Sequence, residues 1–139
     1  MNTSKEITIN TSIKSDIDTV WKLWTTPKHI KLWNTASPDW HTKNVENDLR
    51  IGGRFSYRME AKDGSMGFDF GGRYIVVKTN KQIDYSLDDG RKVSITFSKV
   101  NDGISITETF EPETQNPVDA QKQGWQSILD NFKKYVESN

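Results

Sequence analysis

Apolar and polar residues alternate along most of this chain, and the alternation gives way to helical spacing in three stretches. Ile7, Ile9, Thr11 and Ile13 alternate with Thr8, Asn10 and Ser12, which predicts a half-buried strand. Ile17, Val20, Trp21 and Trp24 then recur at helical intervals, so a short helix runs to about Thr25. Ser15 with Asp18 three residues on resembles a capping box in which Asp replaces the usual Glu. Thr26-Pro27 opens a second short helix carrying Ile30 and Trp33, and Asn34 to Asp39, with Pro38, reads as a loop.

From Trp40 the period becomes two. Trp40 to Glu46 is a weakly patterned strand, and Phe55, Tyr57 and Met59 alternate with Ser56 and Arg58. Lys62-Asp63-Gly64-Ser65 is a turn. Met66, Phe68 and Phe70 continue the alternation as far as Gly71-Gly72, which reads as a bulge or sharp bend before Tyr74 to Val77. Ile83, Tyr85 and Leu87 form the next strand, closed by Asp88-Asp89-Gly90, and Val93, Ile95 and Phe97 follow. Asp102-Gly103 is a hairpin signal, and Ile104, Ile106 and Phe110 make the last strand. Consecutive strands joined by short turns pair antiparallel, and such a sheet packs one face and wets the other.

The last stretch supplies the cover. Pro117 stands at a first helical position with Asn116 as its cap, and Val118, Trp125, Ile128, Leu129, Phe132, Tyr135 and Val136 form one stripe. Gln123, Ser127, Asp130, Asn131, Lys133 and Lys134 take the opposite side. Ordering twenty such residues costs on the order of 20–40 kcal/mol in backbone entropy, so the stripe must be buried against the sheet. The expected fold is α+β: a curved antiparallel sheet of about six to seven strands wrapped around one long C-terminal helix, with two short helices after the first strand. The chain of 139 residues makes one domain with no repeat or linker.

Composition narrows the function. Lys plus Arg equals Asp plus Glu at 19 each, which argues against a general nucleic-acid binder. Without cysteine there are no disulfides, thiolate metal sites or cysteine nucleophiles. The longest purely aliphatic run is Ile75-Val76-Val77, so no membrane insertion is expected. The N-terminus lacks an apolar signal core, and the reading is a cytoplasmic, monomeric protein. Aromatics at 11% let a modest apolar content of 33% fill a core.

Motifs for chemistry are sparse. His29 and His41 are the two histidines, neither has a neighbour at ligand spacing, and both read as surface or loop residues with no metal site. No Gly-x-Ser-x-Gly elbow occurs, and Gly52-Gly53 lacks the Lys-Ser or Lys-Thr of a phosphate loop, so it reads as a backbone bend. Asp88 and Asp89 read as turn residues. Phe55, Tyr57, Met59, Phe68, Phe70, Tyr85, Phe97 and Trp125 face one space, which is either a filled core or a partly open pocket for an apolar ligand. Glu108 shares parity with Ile104, Ile106 and Phe110, so strict alternation turns it inward; a bulge or a strand end would expose it, and that is the reading preferred here. Arg54 and Arg58 have the opposite parity to Phe55 and Tyr57, so they point outward, away from Glu108.

Three ordered motifs carry a family resemblance. Val20-Trp21-Lys22-Leu23-Trp24-Thr25-Thr26-Pro27, with Trp33 after it, resembles the opening of helix-grip domains of the START-like (SRPBCC) superfamily. Gly52-Gly53-Arg54-Phe55 resembles the glycine pair before their central strands, and Gly124-Trp125 with Leu129 and Phe132 resembles their C-terminal helix. Together they resemble the branch homologous to the C-terminal domain of the activator of heat-shock protein 90 ATPase. The resemblance implies a hydrophobic cavity between helix and sheet, walled by Trp33, Phe55, Tyr57, Met59, Phe68, Phe70, Tyr85, Phe97, Glu108, Trp125 and Leu129. The leading expectation is non-catalytic binding of a small hydrophobic or aromatic molecule, without cofactor. The eukaryotic co-chaperone has a further N-terminal domain that this chain has no room for, so heat-shock protein 90 is a doubtful partner. A third expectation is a polyketide cyclase- or hydrolase-like enzyme, for which Glu108 and His41 are the candidate acids or bases.

Overall fold

Ile7, Ile9 and Ile13 are buried while Thr8, Asn10 and Ser12 face solvent, so β1 (Ile7–Ile13) obeys its alternation. It begins the computed structural model, which describes residues 6–138. After β1 come α1 (Ile17–Thr25), α2 (Pro27–Trp33), β2 (Trp40–Asn47), β3 (Arg54–Ala61) and β4 (Gly67–Lys78). They are followed by β5 (Gln82–Leu87), β6 (Lys92–Val100), β7 (Gly103–Phe110) and α3 (Val118–Glu137). The strands form one antiparallel sheet in the order β1-β7-β6-β5-β4-β3-β2, and the two short helices follow the first strand. The architecture is the α+β helix-grip arrangement expected from the pattern.

Local details depart from expectation in instructive ways. The cap of α1 is Asp16, one residue later than Ser15: its Oδ2 accepts the Thr19 N–H at 3.1 Å and its Oδ1 the Thr19 hydroxyl at 2.7 Å. These bonds hold the Asp16 carboxyl below its ordinary pKa. Pro117 is the N-cap of α3 rather than its first residue, and Asn116 does not cap it, because its N–H and Nδ2 donate to Glu113. The hairpin between β6 and β7 turns on Asn101 and Asp102, with Gly103 already paired to Val100. Gly103 serves a close approach instead: a Cβ there would stand 2.0 Å from the Ile13 carbonyl oxygen. Gly71-Gly72 interrupts nothing, since β3 and β4 pair without a slip from Gly67 to Arg73, and the irregularity falls between Tyr74 and Val76. At Gly72 a Cβ would meet the Ser86 carbonyl oxygen at 2.2 Å.

Helices guard both sheet edges, where unpaired backbone would otherwise invite another strand. α2 lies along β2, and α3 lies along β1. The Asn10 carbonyl accepts from Gln126 Nε2 at 3.2 Å, the Ser12 carbonyl accepts from Lys133 Nζ at 2.7 Å, and the Lys14 N–H donates to Glu137 at 3.0 Å.

The interior has two unlike ends. At one, Trp21, Trp24, Trp33, Phe97 and Phe132 interlock, with Phe132 4.7 Å from Trp33 and 4.8 Å from Trp24 between ring centres. At the other, Phe55, Tyr57, Phe70, Tyr74 and Tyr85 cluster on β3, β4 and β5. The α3 backbone packs against β1, α1 and α2. Toward the second cluster it reaches through Trp125, which stacks on Phe110 at 3.9 Å and meets Phe70 edge-on at 6.0 Å. No helix of the described residues is long and apolar enough to cross a membrane.

Candidate functional site

A cavity of about 290 Å³ lies between the first half of α3 and the sheet. β3 contributes Phe55, Tyr57 and Met59, β4 contributes Phe68, Phe70 and Tyr74, and β5 contributes Ile83 and Tyr85. Ile95 of β6 and Glu108 of β7 form its floor, Trp125, Ile128 and Leu129 its roof, and Trp24 and Trp33 its inner end. Met59 is buried, whereas Phe68 is 47% exposed and leans on Trp40 at 5.9 Å, so this side opens to solvent.

Trp33, Phe55, Tyr57, Met59, Phe68, Phe70, Tyr85, Glu108, Trp125 and Leu129 all border this space. Phe97 does not: its ring lies between Trp21 and Trp24 at the filled end, because the α1 tryptophans cover that part of β6. The preferred reading of Glu108 as exposed is wrong. β7 pairs in unbroken register with both β1 and β6, placing Glu108 between Ile9 and Ile95, and the residue is 6% exposed. With neither bulge nor strand end, alternation must turn it inward. Burial pushes its carboxyl pKa up to about 8. Arg54 and Arg58 do point outward, to Asp88 at 3.1 Å and Glu60 at 2.9 Å.

Neither histidine joins the site. His41 stands outside the cavity, 4.0 Å from Glu60. His29 is less of a free surface residue than expected: its Nδ1 meets the Tyr135 hydroxyl at 2.6 Å and ties α2 to α3. Its pKa lies below the ordinary value through desolvation and then the charges of Lys28 and Lys22. Among the described residues no cluster of His, Asp or Glu converges as metal ligands.

The polar wall residues are the ones sequence reasoning missed. The Tyr74 hydroxyl donates to Asn47 Oδ1, Asn47 Nδ2 donates to the Thr25 carbonyl at 2.8 Å, and the Tyr57 hydroxyl bonds with Tyr74. Tyr74 had a signal, since it shares parity with Phe68 and Phe70, but the glycine pair obscured it. Asn34 lies buried beside Thr42, whose hydroxyl donates to the Asn34 carbonyl at 2.6 Å. At the rim, Gln121 takes the helical position that Val118 was expected to share: Val118 is 51% exposed, while Gln121 is buried. Gln121 Nε2 donates to the Glu113 and Asn116 carbonyls at 2.9 Å, and its Oε1 accepts from the Glu113 N–H at 2.8 Å. Arg91 also reaches the rim, held by Asp89 at 2.8 Å. A turn arginine and a helix glutamine carry no pattern that marks them as cavity residues.

Such a site is mostly apolar with a few placed polar groups, which suits holding a small molecule and fixing its orientation. Residues 14–137 match the family described as Activator of Hsp90 ATPase homolog 1-like protein. The solution NMR structure of the AHSA1-like protein from Aeromonas hydrophila is 45% identical to this chain. The match covers 96% of this chain and 93% of that one, with a TM-score of 0.91. A protein from Cytophaga hutchinsonii, also solved in solution, is 50% identical over 96% of this chain and 93% of its own, with a TM-score of 0.84. A crystallised protein from Chromobacterium violaceum shares the fold at 22% identity over 97% and 99% of the two chains, with a TM-score of 0.87. No curated protein matches the chain.

Proposed function

The chain belongs to the Activator of Hsp90 ATPase homolog 1-like family, and on that premise we propose that it binds a small hydrophobic or aromatic molecule between α3 and the sheet. The observation that carries this reading is the cavity of about 290 Å³ among aromatic side chains. Protein interiors pack tightly, and an unfilled space of this size costs stability that larger side chains would recover. Its volume falls at the small end of ligand pockets, roughly 300–1,000 Å³, so the ligand is compact. Titrating isotope-labelled protein with fatty acids, sterols and flavonoid-like compounds tests this. The expected shift changes gather at Tyr57, Phe68, Phe70, Tyr85 and Trp125. A panel of that breadth producing none there defeats the reading.

Glu108 favours a second reading, acid catalysis on a bound polyketide-like carbonyl. A carboxyl with a pKa of about 8 is still protonated at neutral pH and can transfer its proton. Turnover that Glu108→Gln abolishes while ligand affinity persists would make the protein an enzyme. A role toward heat-shock protein 90, which the family description names, would use the outer surface. It predicts stimulation of the host chaperone's ATPase that a cavity-blocking variant leaves intact.

A further inference from the structure

Two buried polar groups on the cavity wall have no hydrogen-bond partner among the described residues. Glu108 is 6% exposed and Tyr85 is 7% exposed, and both line the cavity. Neither the Glu108 carboxyl nor the Tyr85 hydroxyl makes a hydrogen bond with a described residue. Yet among the described residues no side-chain oxygen or nitrogen is both sealed off and unpartnered. The oxygens of these two residues therefore face the open space of the cavity. A group here that met neither water nor a ligand oxygen would cost about 1–3 kcal/mol, so two on one wall favour an occupant that offers them a polar partner.

The register places them within reach of one another. Glu108 of β7 lies in a row with Ile95 of β6 and Ile83 of β5, and Tyr85 is two residues along β5 on the same face. Their backbones stand about 12 Å apart, two strand spacings across and two residues along, a gap that the two long side chains narrow. The Glu108 charge acts on both Tyr85 and Tyr57. Tyr57 is engaged by Tyr74, which leaves Tyr85 as the free hydroxyl. Burial raises the Tyr85 pKa well above its ordinary value, so it keeps its proton.

We infer that Glu108 and Tyr85 form an oxygen-binding subsite that takes the carbonyl or phenol oxygen of a planar aromatic ligand. The rings around it supply the rest. Phe55 and Tyr85 meet edge-on at 4.7 Å, and Trp125 and Phe70 at 6.0 Å, so flat faces and edges line the space. A neutral carboxyl both donates and accepts, which suits a carbonyl or a phenol. A ligand carboxylate would set two acids against each other where burial already disfavours a charge. This subsite rests on the binding reading above.

Indanone and indane, alike except for the carbonyl, separate the two ideas. In the wild type, indanone binds at least about tenfold more tightly than indane, because indane leaves the two polar groups unpaired. Tyr85→Phe and Glu108→Met each bring that ratio down to about threefold or less, with indane bound at least as tightly as by the wild type, which reports an intact pocket. The carbonyl stretch of indanone bound to the wild type lies below its frequency in dry alkane, a readout that needs no variant. Equal affinity for the two compounds, a ratio that survives both substitutions, or an unshifted stretch overturns the subsite and leaves the binding reading standing. Failure of both compounds to bind overturns the subsite, and the binding reading falls with it only if the wider panel of fatty acids, sterols and flavonoid-like compounds also gives no shifts at the cavity.

Discussion

Glu108 shows how much one residue can turn on its neighbours. Its folded pKa of about 8 lies above the ordinary 4.5, so the folded protein holds the proton more tightly than the unfolded chain does. The stability associated with this group is fully present below about pH 4.5 and is lost as pH rises, levelling off above about pH 8. Glu108→Gln removes that dependence. The wild type should therefore lose stability relative to the variant between about pH 5 and about pH 8, at a slope approaching ~1.4 kcal/mol per pH unit. Urea melts of both proteins across that range check it, and a constant difference would mean that the carboxyl is hydrated or paired. The parity of Glu108 was readable in the sequence. Its burial was not, because the reading turned on whether β7 slips, and the pairing with β1 and β6 answered that.

At the scale of the element, α3 is anchored lower down than its tryptophan suggests. Leu129 and Phe132 are fully buried, whereas Trp125 is half-buried over the cavity. Phe132→Ala should cost about 3–5 kcal/mol, the usual range for an emptied aromatic core site. Trp125→Ala should cost less, about 2 kcal/mol, since part of its ring is already out of contact with the core. Denaturant melts giving the reverse order would mean that the helix is gripped at its first half. Gly124 stands just before Trp125 on α3, and a Cβ there would meet nothing within 4 Å. Gly124→Ala should thus stabilise the protein by about 0.5–1 kcal/mol through helix propensity alone. A loss on thermal or urea denaturation would reveal a neighbour that the fold does not show.

For the whole molecule, the decisive feature is that one end of the interior is filled and the other is not. A ligand bound at about a hundred times its dissociation constant stabilises the native state by about 2.7 kcal/mol, which should raise the melting midpoint by several degrees. Compounds that shift the Tyr85 and Trp125 resonances should raise it, and those that do not should leave it unchanged. A rise without those shifts would place binding elsewhere on the molecule.

The order of elements, the single sheet and the inward aromatics followed from the sequence alone. They rest on period and turn chemistry, which are local: Ile7 to Ile13, or Leu129 to Val136, show their buried face in the spacing of their own side chains. The same local pattern misplaced Phe97 and left open whether the aromatic face was packed or hollow. Parity says which way a ring points, not what stands opposite it. Opposite Phe97 stand Trp21 and Trp24, while opposite Phe70 and Tyr85 there is space that Trp125 only partly fills. That difference comes from where α3 runs along β1 and how far it stands from β3 to β5, a distance set by the packing of residues far apart in the chain.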